Sequence, residues 1–104
     1  MIQIDNIPAK EIIPGFMGKF LNGSQSTLGI WNIKAGSIMP EHRHFHEQLT
    51  YVQEGELEMV IGGEKMLFGA GNLHVIPPNT PHSARAITDC RVIDFFAPAR
   101  EEYR

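Results

Sequence analysis

Glycine and proline interrupt this chain at short intervals, and this punctuation limits the possible folds more than any other feature. Ten glycines and seven prolines fall within 104 residues. No window of eleven or more residues repeats its apolar positions with the 3.6-residue period of an amphipathic helix. Residues 10–16 offer at most one helical turn, because Pro14 and Gly15 limit it. The sequence therefore predicts an all-β fold, with one domain over residues 1–104.

Short apolar runs between these breaks predict the strands. In residues 56–59 acidic and apolar side chains alternate, as expected of a half-buried strand. Gly62 and Gly63 are typical of a tight hairpin turn because both positions tolerate positive φ. Such short strands fit a sandwich, a jelly roll or a barrel. The predicted strands are residues 27–33, 49–53, 56–61, 65–68, 72–76, 82–86 and 90–95.

Composition excludes several classes of function. The formal net charge is −3 and basic residues are scattered, which argues against a nucleic-acid partner. No apolar run is long enough for a transmembrane helix, so we expect no membrane partner. The N-terminus lacks the pattern of a signal peptide, which favours a cytoplasmic location. Cys90 is the single cysteine, and its apolar neighbours predict a buried, inert thiol.

Histidines concentrate the chemistry in residues 42–48. His42 and His44 are two residues apart, so an extended backbone would direct both imidazoles to one side. Gln48 has the same parity, and His82 follows a proline-rich loop much later. Two nearby ligands and one distant ligand are a common arrangement for a mononuclear metal site. A surface histidine cluster is the alternative when this element is considered alone.

The residues flanking these histidines resemble the two motifs of the cupin superfamily, Gly-x5-His-x-His-x(3–4)-Glu-x6-Gly and Gly-x5-Pro-x-Gly-x2-His. The matching positions are Gly36, His42, His44, Gln48 and Gly55 in the first motif, and Gly71, Pro77, Asn79 and His82 in the second. The resemblance implies a single-domain cupin, a small jelly-roll β-barrel. Asn79 replaces a glycine, and asparagine is the best substitute where φ is positive.

The ligand set predicted from these motifs is His42, His44, Gln48 and His82, holding one divalent metal ion. Glutamine stands where most cupins have glutamate, so all four ligands are neutral. A neutral set favours Lewis-acid chemistry and anionic ligands over redox cycling. Zn, Ni and Co suit imidazole, and Fe(II) or Mn(II) are also compatible. The alternative is that Gln48 only caps the barrel rim, leaving three histidine ligands or an empty site.

The C-terminal strand adds polar groups to the predicted interior. Alternation places Val92, Asp94 and Phe96 on one face, where an acidic residue is costly unless it has a partner. Arg100 follows a proline turn and could reach the barrel mouth to bind a carboxylate. A salt bridge between Asp94 and Arg100 that merely closes the C-terminus is an equal alternative.

A closer resemblance covers nearly the whole chain. Residues 42–48, 77–83 and 94–101 look like the small cupins of pectin and alginate breakdown, the KdgF family. Members open the ring of unsaturated monouronates, and three histidines and a glutamine hold their metal. The resemblance implies that Asp94, Phe96 and Arg100 are catalytic residues and that the substrate is a small anionic sugar acid.

Other functions and the assembly state are also open at this point. The alternatives are a non-catalytic sensor of sugar acids or small ligands, a metal-dependent dioxygenase, and a structural cupin with an empty site. The neutral Gln48 argues against the dioxygenase. By resemblance, and because exposed sheet edges need cover, we expect a homodimer.

Overall fold

The computed structural model describes residues 1–104, and nearly all of its regular structure is β-strand. None of its helices has the length and apolar character of a membrane span. Short 3-10 turns occupy Ile4–Asn6 and Glu101–Tyr103. The strands are β1 (Lys10–Ile13), β2 (Phe16–Asn22), β3 (Thr27–Ile33), β4 (Ile38–His42), β5 (Glu47–Glu54), β6 (Leu57–Ile61), β7 (Glu64–Phe68), β8 (Leu73–Ile76), β9 (His82–Ala86) and β10 (Cys90–Ala97).

Two antiparallel sheets face each other and enclose the core. The six-stranded sheet has the order β1-β2-β3-β10-β5-β8, and the four-stranded sheet has the order β4-β9-β6-β7. Inward side chains alternate along each strand, so Trp31, Val52 and Val92 from one sheet meet Leu57 and Met59 from the other. The all-β prediction is confirmed.

All seven predicted strands are present, and each begins and ends within two residues of the predicted bounds. The structure adds three strands, β1, β2 and β4. The helical turn predicted within residues 10–16 is wrong: these residues form β1, a two-residue turn and the first residue of β2. Gly15 has a φ of 83° after Pro14, a combination that suits a tight turn between paired strands. Pairing of β2 with β3 overrides any local helical tendency.

Strand β4 escaped prediction because Pro40 lies at its centre. Proline has no N–H to donate to a ladder, and strands containing it are confined to sheet edges. β4 is the edge strand of the four-stranded sheet, and Pro40 lies where its ladder with β9 is irregular, so the missing donor is tolerated. The strand therefore forms despite its composition, and it carries His42 to the rim.

Three local expectations are met. Gly62 and Gly63 form the turn between β6 and β7, with φ values of 57° and 83°. Asn79 adopts a φ of 61°, as its place in the second motif requires. Cys90 is buried, and burial raises the pKa of its thiol, which keeps the thiol protonated and unreactive.

We predict that Gly55→Ala lowers the free energy of unfolding by more than Gly63→Ala. Both glycines have positive φ, so an added Cβ costs about 1–2 kcal/mol at either position. At Gly55 the Cβ would also lie 2.2 Å from the Asp89 carbonyl oxygen, whereas nothing lies within 4 Å at Gly63. Chemical denaturation of both variants measures the difference. Equal losses would show that close packing at Gly55 is unimportant.

Candidate metal centre

Three histidines converge at one end of the barrel. His42 ends β4 and His82 begins β9, and the two are direct partners in the ladder, with ring centroids 4.3 Å apart. His44 lies in the irregular segment between β4 and β5, and its ring centroid is 5.0 Å from that of His82. The pairing of β4 with β9, together with a loop, therefore brings the rings together. The sequence predicts one extended segment through residues 42–44, but the strand ends at His42.

Backbone carbonyls orient each imidazole. The Nδ1 atoms of His42, His44 and His82 lie 2.9, 3.1 and 2.8 Å from the carbonyl oxygens of Pro40, His46 and Thr80. A carbonyl oxygen can only accept, so each Nδ1 carries the hydrogen and donates it. In a neutral ring this leaves a lone pair on every Nε2 atom. One ligand atom from each ring falls within 4.8 Å of the others.

Gln48 completes this group of acceptors from β5. Its amide nitrogen donates to the Thr50 hydroxyl at 3.0 Å, so its oxygen Oε1 lies toward the histidines, 3.2 Å from His44 Nε2. The Nε2 atom of His82 is also buried and lacks any hydrogen-bond partner. Buried acceptors without a donor are unfavourable unless a cation joins them. Three imidazole nitrogens and one amide oxygen therefore fit a divalent metal ion.

The surroundings favour the neutral form of His44 and His82, which is the form that binds metal. Burial, reinforced by the positive charge of Arg100, lowers the pKa of His44 to about 4. Burial also lowers the pKa of His82. Protons therefore compete weakly for these two nitrogen atoms near neutral pH.

Asp94 lies on β10 below the histidine cluster, with only 8% of its surface exposed. Its cross-strand neighbours are Thr50 on β5 and Gly29 on β3. Burial raises the pKa of Asp94 to about 6, although the Thr50 hydroxyl opposes the shift by donating to Oδ1 at 2.9 Å. A carboxyl group with a pKa near 6 can accept and return a proton at neutral pH.

Arg100 is buried against aromatic rings at the cavity mouth. Its guanidinium carbon lies 4.7 Å from the ring centroids of both Phe96 and Tyr103. The guanidinium forms its ion pair with Glu102. The alternative of an Asp94–Arg100 salt bridge is therefore wrong for this structure. The Glu102 side chain is half-exposed, so its carboxylate meets the guanidinium from the solvent side.

One interior cavity of about 50 Å³ connects these groups. Its lining includes His42, Gln48, His82, Asp94, Phe96 and Arg100. His44 adjoins it through the Phe96 ring, 5.8 Å away between centroids. The structure thus brings together all the residues that the sequence assigned to the metal and to catalysis.

A family model described as a cupin domain matches residues 29–96, which is well over half of the chain. The chain belongs to the cupin family. This assignment agrees with the two facing sheets and with the histidines at the end of the barrel.

Two kinds of relatives resemble this cupin over nearly its full length. The pectin degradation protein KdgF of Dickeya dadantii is 29% identical over 102 residues, covering 95% of this chain and 93% of its own. The solved structure of KdgF from Halomonas sp. has a TM-score of 0.93 and 27% identity, with 100% and 97% of the two chains covered. An RmlC-like cupin from Shewanella frigidimarina has a TM-score of 0.95 and 27% identity, with 100% and 95% covered.

Sequence reasoning missed two lining residues of this cupin, Trp31 and Tyr103. The buried Trp31 indole N–H lies close to Asp94 and opposes the rise in the pKa of that carboxyl group. The burial alternation of Gly29, Trp31 and Ile33 could have placed this ring inside. Tyr103 stacks on Phe20 at 4.2 Å, a contact between opposite ends of the chain that no local pattern predicts.

We predict that the purified cupin carries close to one divalent ion per chain and that the double variant His42→Ala with His82→Ala loses it. These two rings face each other across β4 and β9, so their removal takes away two of the four proposed ligands. Elemental analysis measures the metal, and His74→Ala, which alters a histidine of β8, is the control. Stoichiometric metal in the double variant would remove both residues from the ligand set.

Proposed function

We propose that this cupin opens the ring of 4,5-unsaturated monouronates released from polyuronates, in a metal-dependent isomerisation. The observation that carries the proposal is a single cavity that holds a carboxyl group with a pKa near 6, a neutral cluster of metal-binding groups and a buried arginine. The similarity to proteins named KdgF, one of them a pectin degradation protein, supports the substrate class.

His42, His44 and His82 would hold the ion through Nε2, and Gln48 through its amide oxygen. A divalent ion bound there supplies Lewis acidity, which polarises a sugar oxygen. Zn, Ni, Co, Fe(II) and Mn(II) all accept this donor set. Because the four ligands are neutral, the site keeps a positive charge that favours an anionic sugar acid.

Asp94 is the group that would move protons. An unsaturated uronate is a cyclic enol ether with a hemiacetal hydroxyl, and opening it needs no second reactant. The hydroxyl proton leaves as its oxygen becomes an aldehyde, the bond to the ring oxygen breaks, and the resulting enol becomes a ketone as its carbon takes up a proton. The buried carboxylate of Asp94 would accept the first proton and deliver the second, because its pKa lies close to neutral pH.

Arg100 would bind the substrate carboxylate in place of Glu102. The rings of Phe96 and Tyr103 both contact the guanidinium and hold it in place at the mouth, where part of the group faces a carboxylate. This geometry favours the planar, bidentate pairing that arginine forms with carboxylates. Phe96 borders the same cavity and would pack on the apolar face of the sugar. The cytoplasmic location suggested by the sequence stays a prediction.

We predict that Asp94→Asn lowers kcat by about 10²–10⁴-fold while the metal content and KM stay near wild type. Asparagine keeps the shape and an oxygen for Thr50 but cannot accept the proton. The loss of ultraviolet absorbance of the conjugated double bond measures turnover. Normal turnover in this variant would overturn the role of Asp94. A wild-type protein that binds the uronate without converting it would instead be a sensor.

Arg100→Ala should chiefly raise KM, by about 10–100-fold, because a charge-assisted hydrogen bond contributes about 1.5–3 kcal/mol. Removing the competing carboxylate by Glu102→Gln should lower KM, by up to about fivefold, since a half-exposed pair contributes at most about 1 kcal/mol. Steady-state kinetics and thermal midpoints are measured for both variants. Equal destabilisation with wild-type kinetics would leave Arg100 a structural residue.

A further inference from the structure

A chain of hydrogen bonds joins a proposed metal ligand to the buried carboxylate. The Gln48 amide nitrogen donates to the Thr50 hydroxyl at 3.0 Å, and Thr50 donates to Asp94 at 2.9 Å. Gln48 and Thr50 are two residues apart on the inner face of β5, and Thr50 is the direct partner of Asp94 in the ladder. Thr50 is only 2% exposed, so bulk water cannot replace its hydroxyl.

The direction of this chain follows from what each group can do. An ionised carboxylate only accepts, so the single hydroxyl proton of Thr50 is committed to Asp94. The Thr50 oxygen can then only accept, and of the two ends of the Gln48 amide only the nitrogen donates. The amide nitrogen therefore turns toward Thr50, and the oxygen turns toward His44.

Without that hydroxyl the amide nitrogen keeps only the Asp94 carboxylate as a nearby acceptor, and in the metal-free protein a reversed amide has an alternative. The two ends of a glutamine amide are nearly equal in shape, so a half-turn exchanges them without a steric cost. The reversed amide would donate from its nitrogen to the free lone pair of His44 Nε2, now 3.2 Å from the oxygen. That hydrogen bond would occupy the lone pair of His44 Nε2 and would turn the Gln48 oxygen away from the metal position.

We propose that Thr50 is a positioning residue that presents Gln48 to the metal through its oxygen. This inference rests on the metal site of the proposed function, but it concerns a residue that neither the motifs nor the cavity chemistry requires. Thr50 would act through the amide of Gln48 and would not itself bind the ion. Partners of this kind typically change metal affinity by about 10–100-fold.

Competition with a chelator for a divalent ion tests this role without any turnover. Thr50→Val keeps the volume and removes the hydroxyl, and it should raise the metal Kd by about 10–100-fold. Thr50→Ser keeps the hydroxyl and should restore the wild-type Kd. Thermal unfolding of the metal-free proteins shows whether each variant is folded, and Thr50→Ala replaces Thr50→Val if valine does not fold.

The decisive comparison repeats Thr50→Val in the Gln48→Glu background. A carboxylate presents an oxygen in either orientation. In the Gln48→Glu background, Thr50→Val should therefore change the metal Kd by less than about threefold. Equal losses in both backgrounds, or an unchanged Kd in Thr50→Val alone, would overturn the positioning role. A wild-type chain that takes up no divalent ion would overturn the metal site itself, which is a separate result.

Discussion

Antiparallel pairing of β5 with β10 is the interaction on which the site depends. This ladder sets Thr50 opposite Asp94 and Gln48 opposite Phe96, so a proposed metal ligand, a carboxylate and an aromatic ring share one inner face. Strand periodicity then directs the intervening residues, such as Tyr51 and Phe95, to the outside. A slip of one residue would exchange the two sets and would destroy the cavity.

The interior serves two different purposes along the barrel. Around Val52, Leu57 and Val92 it is a close-packed apolar core that stabilises the sheets. Around the histidines it holds buried polar atoms, among them Nε2 of His82, which has no hydrogen-bond partner. Such atoms reduce the stability of the folded state, and their occurrence at one end of the barrel is typical of a binding site.

The anionic substrate of the proposed function rests on the electrostatics of the cavity. The neutral ligands leave the charge of a bound ion uncompensated, and Arg100 adds a second positive group at the mouth. Asp94 is the opposing charge inside, and its burial weakens that charge by favouring the protonated form. In the proposed function, the arrangement would combine binding of a carboxylate with a group that exchanges protons, as ring opening of a uronate requires.

The sequence by itself determined the all-β class, seven of the ten strands and the resemblance to cupins, because these follow from local features. Glycine and proline mark the turns, alternation marks the buried faces, and Asn79 marks a position of positive φ. The spacing in residues 42–48 also named the residues that meet around the cavity. Only the tertiary structure decided the rest. β4 forms because an edge position tolerates Pro40, Arg100 pairs with Glu102 instead of Asp94, and the amide of Gln48 takes its direction from Thr50. Each of these outcomes depends on a neighbour brought close by sheet pairing or chain packing, and the local sequence pattern contains no information about that neighbour.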